Sequence, residues 1–560
     1  MKIYIKITAF FFYLILAMNA VAQTGDAIST SGDSESVADA SEKETDFTAL
    51  VQELNSKSFS KKAVAIDLLT EVKDPRVLPI LQTMQAGDLY YRKSDKVIVK
   101  AKKVDEGLHL TDAISGEDLG VVGKREAKKI TINNTLRRQL REKVAVLELT
   151  ADEKNIRLNA ARNLIKSPDP ELLAVLENAV STESNQGIKH LINVSIALIE
   201  VESEDQSLRL KAVEKLGTAV EPEAVVVLRK LTEKNEDGSF KEANLKVAEL
   251  AEEKLKNIET KLFFYQGTEN LFFGLSLGSV FLLAAIGLAI TFGVMGVINM
   301  AHGEMIMIGA YTTFFIQQLL PKDLVDISLA IAIPAAFIVS GLVGVLIERL
   351  IIRHLYGRPL DTLLATFGVG LILQQAARTY NSNNVPVITP SWMSDAWAPN
   401  GAISFNFNRM YIIIFSIVVL LSLTLLLKKT LFGLQMRAVT QNRAMASSMG
   451  IRQNWVDALT FGLGSGIAGI AGVALSQITN VGPNLGSAYI IDSFMVVVFG
   501  GVGSLVGTFS GAIGLGVINK MLEPSVGAVI GKIIVLIFII LFIQWRPRGL
   551  FALKGRFVED

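Results

Sequence analysis

Residues 271–293 read LFFGLSLGSVFLLAAIGLAITFG, twenty-three positions without one charged side chain. A helix of about 20 such residues crosses the hydrocarbon of a bilayer, and a water-soluble core has no need of a run this long. Seven more apolar segments follow, at 298–319, 325–347, 362–379, 410–427, 457–478, 489–519 and 526–545. Between positions 271 and 545 only nine Asp or Glu and thirteen Lys or Arg occur. The second half is therefore read as an all-α, polytopic transmembrane bundle over 269–546, solvated by membrane lipid, with a cytoplasmic tail at 547–560.

The charges that do occur set an orientation. Arg349, Arg353 and Arg358 form one basic stretch, Lys428, Lys429, Arg437, Arg443 and Arg452 a second, and the tail with Arg546, Arg548, Lys554 and Arg556 a third. Basic loops stay cytoplasmic. The stretch 381–408 has no Lys in it and carries Trp392 and Trp397, as expected of an outer-face loop. The segment 489–519 is too long for one span and holds seven glycines from Gly500 to Gly516. Two short or broken helices meeting near 500–504 are expected there, and with them an odd number of crossings.

The amino-terminal half has a different character. Lys2 and Lys6 precede an apolar stretch and the small-x-small triplet Ala20-Val21-Ala22, the pattern of a signal peptide over 1–22. Positions 23–45 are Ser-, Asp- and Gly-rich, a disordered leader. From 46 to 261 the composition is that of a soluble helical domain, predicted to be periplasmic. Three segments within it share identical spacings: Lys62, Ala65, Leu69, Pro75, Leu78 and Leu81; Arg157, Ala160, Leu164, Pro170, Leu173 and Leu176; Arg209, Ala212, Leu216, Pro222, Val225 and Leu228. A small residue at a helix crossing, Leu four positions on, and Pro opening a second helix describe a helical hairpin. Stacked hairpins bury a continuous core. The pattern resembles HEAT-type repeats. An insertion near 87–123 alternates in the manner of a short β-hairpin.

With no cysteine in the chain, disulfides, thiolate metal sites and cysteine nucleophiles are excluded, and a net charge of +1 gives no reason to expect nucleic acid. No metal or cofactor site is expected, since the one His and one carboxylate that cluster at 296–305 are too few ligands. The polar interruptions of the apolar runs are the candidates for function. Asn299, His302 and Glu304 cluster at 296–305, where ionisable groups serve a pathway or, on the plainer reading, cap a helix. Gln374, Gln375 and Asn480 are amides suited to a neutral polar solute, and Asp492 precedes the glycine run at 500–504. That run lies in the membrane, so close packing of small residues explains it better than a nucleotide fingerprint. The basic stretch from 430 to 455 is predicted to hold a short helix closing on Gly450, a rigid handle for a partner protein; an ordinary basic loop is the alternative.

From about 271 to 559 the sequence resembles permeases of the branched-chain amino acid and urea ABC uptake family. The residues at 299–304, 437–450 and 500–504 carry the resemblance. It implies that the 437–450 segment, with Arg437, Gln441, Asn442, Met445 and Gly450, is the coupling helix that docks on an ATP-hydrolysing subunit. The exported extension, the residues Ser476, Gln477, Val481, Gly482, Pro483 and Asn484, and the ending from Arg546 to Arg556 look like the urea branch. The implied partners are two ABC ATPases, a second homologous permease and a periplasmic urea-binding protein. The implied cargo is urea, with a branched-chain amino acid in the same family and a passive urea channel as alternatives. No GxxxxGK[ST] phosphate loop occurs, so the chain is expected to be no enzyme, with ATP hydrolysed by partners, in the bacterial inner membrane.

Overall fold

The computed structural model describes residues 47–551 except 73, 105–106, 322–323, 382 and 401. The signal-like start, the leader and the end of the tail lie outside the described residues. The chain divides into two compact units, one ending at Lys261 and the other beginning at Leu262.

In the first unit the three repeated segments each fall on a pair of helices. They are α1 (Phe59–Glu71) with α2 (Val77–Ala86), α4 (Lys154–Lys166) with α5 (Leu173–Thr182), and α7 (Gln206–Leu216) with α8 (Pro222–Leu231); α3 (Asn134–Leu149) and α6 (Gln186–Glu200) lie between them in sequence. The repeated alanines are buried at Ala65, Ala160 and Ala212, which is what lets helix backbones approach. Arg157 and Arg209, which head the second and third copies, reach Glu183 at 2.8 Å and Glu242 at 2.7 Å.

The insertion is larger than a hairpin. Strands β1 (Leu89–Arg92), β2 (Ile98–Val104), β3 (Gly107–Asp112), β4 (Asp118–Val122) and β5 (Ala127–Lys129) form one antiparallel sheet in the order β4-β3-β2-β1-β5. Leu89, Ile98 and Ile130 join the helical core, while Val99, Ala101, Leu108, Leu110 and Ala127 form a core of their own.

The second unit is built from α9 (Leu245–Met295) from Leu262 onward, α10 (His302–Leu319), α11 (Val325–Leu350), α12 (Pro359–Tyr380), α13 (Phe407–Lys429), the short α14 (Leu431–Gln441) and α15 (Arg443–Ser448), then α16 (Gln453–Ser476), α17 (Leu485–Gly500), α18 (Leu505–Val526) and α19 (Ala528–Trp545). A small antiparallel ribbon, β6 (Ala396–Asn400) with β7 (Ile403–Asn406), precedes α13. Among the described residues seven helices are long and apolar enough to cross a membrane, and α17 is a shorter apolar helix.

Burial divides them. The most apolar windows of α9 and α16 are each 83% buried, whereas those of α12, α13 and α19 are 17–22% buried. The first two form the centre and the last three face outward. Lipid offers no hydrophobic drive for helices to associate, so the centre is held by close backbone approach at small residues. A β-carbon added to Gly278 of α9 would lie 2.9 Å from the Ala512 carbonyl of α18, and one on Gly293 would lie 2.6 Å from the Gly503 Cα. Gly464 and Gly472 of α16 seat α9 and α10 in the same way.

The segment 489–519 breaks as the glycines foretell. Helix α17 ends at Gly500, Gly501 turns at φ 103°, and Ser504 caps α18 by accepting from the Gly507 N–H at 3.1 Å. The turn also receives the carboxy-terminal tail: the Leu550 and Phe551 N–H groups donate to the Phe499 and Gly500 carbonyls at 2.9 and 3.1 Å.

Candidate functional site

Helix α9 stops at Met295, Gly296 takes φ 69°, and the chain runs unwound to His302. Sequence reading starts this span at Ile298; the helix starts four residues later because Asn299 folds its side chain onto the backbone. The Asn299 Oδ1 accepts from the Ala301 N–H at 3.0 Å, and the Met300 N–H donates to Thr366 Oγ1 of α12 at 3.1 Å. Asn299 Nδ2 is buried without a hydrogen-bond partner. The His302 Nε2 lies 2.8 Å from the Ala284 carbonyl. A carbonyl only accepts, so the ring proton sits on Nε2, and His302 acts as a buried strut between α10 and α9.

Glu304, one turn into the same helix position range, does something different. Its carboxylate accepts from the Ser487 hydroxyl of α17. It also packs on Gly370 of α12, where an added β-carbon would stand 3.6 Å from the carboxylate carbon. Gly370, Gln374 and Arg378 are four apart and share one face of α12. The Gln374 amide donates to Ser487 Oγ at 3.3 Å and to Asn484 Oδ1 at 2.9 Å, and Arg378 Nη2 donates to Asn484 Oδ1 at 2.7 Å. Glu304, Ser487, Gln374, Asn484 and Arg378 thus form one polar row across α10, α12 and the start of α17. Among the described residues neither Glu304 nor Arg378 has an oppositely charged partner within ion-pair distance.

The remaining candidates lie elsewhere. Gln375 is exposed on another face of α12, and Asn480 is exposed in the turn after α16. Asp492 is five residues beyond Ser487, about 140° around α17; there it pairs with Lys532 of α19 at 3.2 Å. Sequence reading did not single out Arg378 or Ser487. The available signal was the spacing of Gln374 and Arg378, two polar residues four apart in an apolar helix.

The 430–455 stretch folds as two helices rather than one. Thr430 Oγ1 caps α14 by accepting from Gly433 N–H at 3.2 Å, and Asn442 Oδ1 caps α15 by accepting from Met445 N–H at 2.9 Å. Asn442 itself is extended and breaks the helix. Gly450, at φ 84°, ends α15 with its N–H on the Ser447 carbonyl at 2.9 Å, the left-handed exit that favours glycine. Met436, Val439 and Ala446 are buried against the bundle, while Leu431, Leu434, Met445 and Met449 stand exposed, Met449 at 77%. Arg437 Nη1 donates to the Leu427 carbonyl at 3.1 Å, closing the end of α13; Gln441 is exposed.

The family described as branched-chain amino acid transport system / permease component matches residues 270–543. The high-affinity branched-chain amino acid transport system permease protein BraD of Pseudomonas aeruginosa is 30% identical over 294 residues, 51% of this chain and 96% of that protein. The chain belongs to this permease family. The corresponding protein LivH of Salmonella typhimurium is 31% identical over 302 residues, 52% of this chain and 96% of its own. A probable branched-chain amino acid transport permease, LivH of Methanocaldococcus jannaschii, is 28% identical over 284 residues, 49% of this chain and 88% of its own. No solved structure matches. This family member is an ABC permease subunit, a multi-pass protein of the inner membrane. The polar row and the α14–α15 segment both fall inside the matched residues.

Proposed function

We propose that this chain and a second permease subunit enclose the pathway of an ATP-driven importer whose cargo is a branched-chain amino acid or a close zwitterionic relative. One observation carries the reading: the polar row ends in a carboxylate at Glu304 and a guanidinium at Arg378, neither of them ion-paired within the described residues. A zwitterion brings one charge of each sign, so its ammonium suits the Glu304 end and its carboxylate the Arg378 end. Charges in a membrane interior are retained where they serve a transported ligand. The relatives' printed substrate supports the same choice.

Urea is the second reading. The middle of the row, Gln374, Asn484 and Ser487, offers amide and hydroxyl groups that suit a neutral solute. The resemblance of the 476–484 residues and the tail to the urea branch points the same way.

The partners follow from the exposed apolar side chains of α14 and α15, which suit docking of an ATPase subunit, two per complex. A soluble periplasmic binding protein would deliver cargo at the outer loop. With the basic stretches inside, α9, the unwound 296–301 segment with α10, α11, α12, α13, α16, α17, α18 and α19 give an odd number of crossings. On this reading the helical-pair unit, taken as a HEAT-like array behind a signal peptide, lies outside.

The test is uptake of labelled leucine and labelled urea by the assembled complex. The wild type takes up leucine, and Glu304→Gln lowers leucine uptake by about thirtyfold or more, the usual cost of leaving a buried charge unmatched. Urea uptake that survives Glu304→Gln, with no leucine uptake in the wild type, would transfer the assignment to urea.

A further inference from the structure

A second charged cluster shares no residue with the polar row and touches the α14–α15 segment. Arg443, the first residue of α15, ion-pairs with Asp457 of α16. Its guanidinium stacks over the Tyr356 ring, 5.0 Å from the centroid. The Gln453 side-chain amide of α16 donates to the Arg443 carbonyl. The Tyr356 hydroxyl in turn donates to Glu348 Oε1 of α11 at 3.1 Å. Arg349, 3.8 Å from Glu348 Oε2, lies over the Trp455 ring of α16 at 4.8 Å. The ring of contacts closes on itself through α15, α16 and α11.

Two features separate this cluster from an ordinary surface ion pair. Asp457 and Glu348 are 2% and 1% exposed, so both carboxylates have given up their water. Moreover, among the described residues Asp457 Oδ1 and Glu348 Oε2 have no hydrogen-bond partner, so each carboxylate is held through its other oxygen, by Arg443 and by Tyr356. Buried pairs of this kind contribute little net stability but are costly to break one side at a time. They also fix geometry, since a guanidinium stacked on an aromatic face and paired with a carboxylate has one productive orientation. The apolar contacts of Met436, Val439 and Ala446 with the bundle have no such direction and permit sliding.

The helices held by the cluster lead to the polar row. Helix α16 meets α11 where a β-carbon on Gly469 would stand 2.6 Å from the Ala336 carbonyl and one on Gly341 would stand 3.2 Å from the Gly462 carbonyl. On its other side α16 meets α10, the helix of Glu304, where Gly472 faces Ala310 N at 2.7 Å for an added β-carbon. Backbone-to-backbone contacts this close leave no room for one helix to move without the next.

We propose that Arg443, Asp457, Tyr356 and Glu348 form the joint that carries movement of the α14–α15 segment into α11 and α16, and through α16 to Glu304. They are positioning residues: none touches the polar row. This rests on the ATP-driven importer reading above. Contiguity alone does not establish coupling, so the joint is defined by a coupling measurement.

The full complex, with ATPases, second permease and binding protein, is reconstituted in proteoliposomes, and solute transported per ATP hydrolysed is measured. Asp457→Asn keeps the size of the side chain and removes its charge. It retains ATPase co-purification and basal hydrolysis while transport per ATP falls about tenfold, in the range of an inter-site coupling free energy. Tyr356→Phe leaves every charge in place and lowers transport per ATP by about tenfold, as for one lost hydrogen bond to a charged group. If Asp457→Asn fails to accumulate, Tyr356→Phe decides alone. Unchanged transport per ATP, or a loss that only tracks lost ATPase binding, overturns the joint. A wild-type complex that neither binds ATPases nor transports overturns the importer reading, and the joint with it.

Discussion

A β-carbon placed on Gly309 of α10 would enter the backbone of Gly469 in α16, whereas one placed on Gly514 of α18 meets nothing within 4 Å. The two glycines look alike in sequence, each in an apolar helix rich in small residues. Their substitution should differ in sign. Gly309→Ala forces two backbones apart and lowers resistance to denaturation in mixed micelles by about 2 kcal/mol, as for overpacking elsewhere. Gly514→Ala leaves it unchanged or raises it by up to about 1 kcal/mol through helix propensity. Equal effects at the two positions would refute the packing of α10 on α16 described here. The same limit governed the polar row. Glu304, Gln374, Asn299 and His302 stand out in sequence because a polar residue inside an apolar run is conspicuous. What the sequence withholds is which of them meet: Asn484 and Ser487 lie 106 to 113 residues from Arg378 and Gln374. His302 turns to a carbonyl of its own neighbour helix, and Asp492 to Lys532, because rotation about a helix axis separates residues only a few positions apart.

Periodicity reported helices well and their ends less well. The span at 271–293 and the repeated Ala–Leu spacing fall on helices, since burial of one face writes itself directly into the sequence, whereas of the three prolines only Pro222 opens its helix, Pro75 and Pro170 standing two and three residues ahead of theirs. The start of α10 moved because the Asn299 side chain, accepting from the Ala301 N–H, holds the chain out of the helix up to that point, a local bond that hydrophobicity does not report. The insertion grew from a hairpin to five strands because β1, β4 and β5 are only three to five residues long, too short for alternation to register. Within the helical pairs, α6 meets the start of α8 through His190 and Glu221, whose side chains approach to 3.8 Å. The Glu221 carboxylate pushes His190 above the ordinary imidazole range, and burial opposes it. Burial pushes Glu221 up, but His190 and backbone N–H groups hold it below the usual carboxylate range. A raised histidine contributes stability that is fully present below its unfolded value of about 6.5 and is lost as pH rises through the folded value. The opening free energy of α6 and α8, measured by hydrogen exchange in the full chain, should therefore fall as pH rises above about 6.5. The His190 side chain is 41% exposed, so screening keeps the change under about 1 kcal/mol. His190→Gln should abolish the slope; a slope that persists in that variant assigns it to another group.

At the scale of the whole molecule, two units carry separate cores. Every residue of the large apolar cluster in the membrane unit lies between Val280 and Ile539, and its flanking members extend only from Leu277 to Leu550. The helical unit has its own, built from Phe47, Ile66, Leu81, Leu136 and their neighbours. A core that draws on no residue of the other unit predicts that each can be ordered alone. The relatives point the same way, since about half of this chain accounts for 96% of BraD and of LivH. A chain reduced to residues 262–560 behind a signal sequence should then accumulate in the membrane, because the apolar part of α9 is itself long enough to span. It should also bind ATPase subunits, since α14 and α15 both lie within it. Uptake by this shortened permease, compared with that of the full chain at equal abundance, then assigns the helical unit. Uptake equal to that of the full chain means the unit serves something other than translocation. Uptake that falls while ATPase binding holds makes it part of cargo translocation. Failure to accumulate at all would contradict the two separate cores, and with them the division of this protein into independent units.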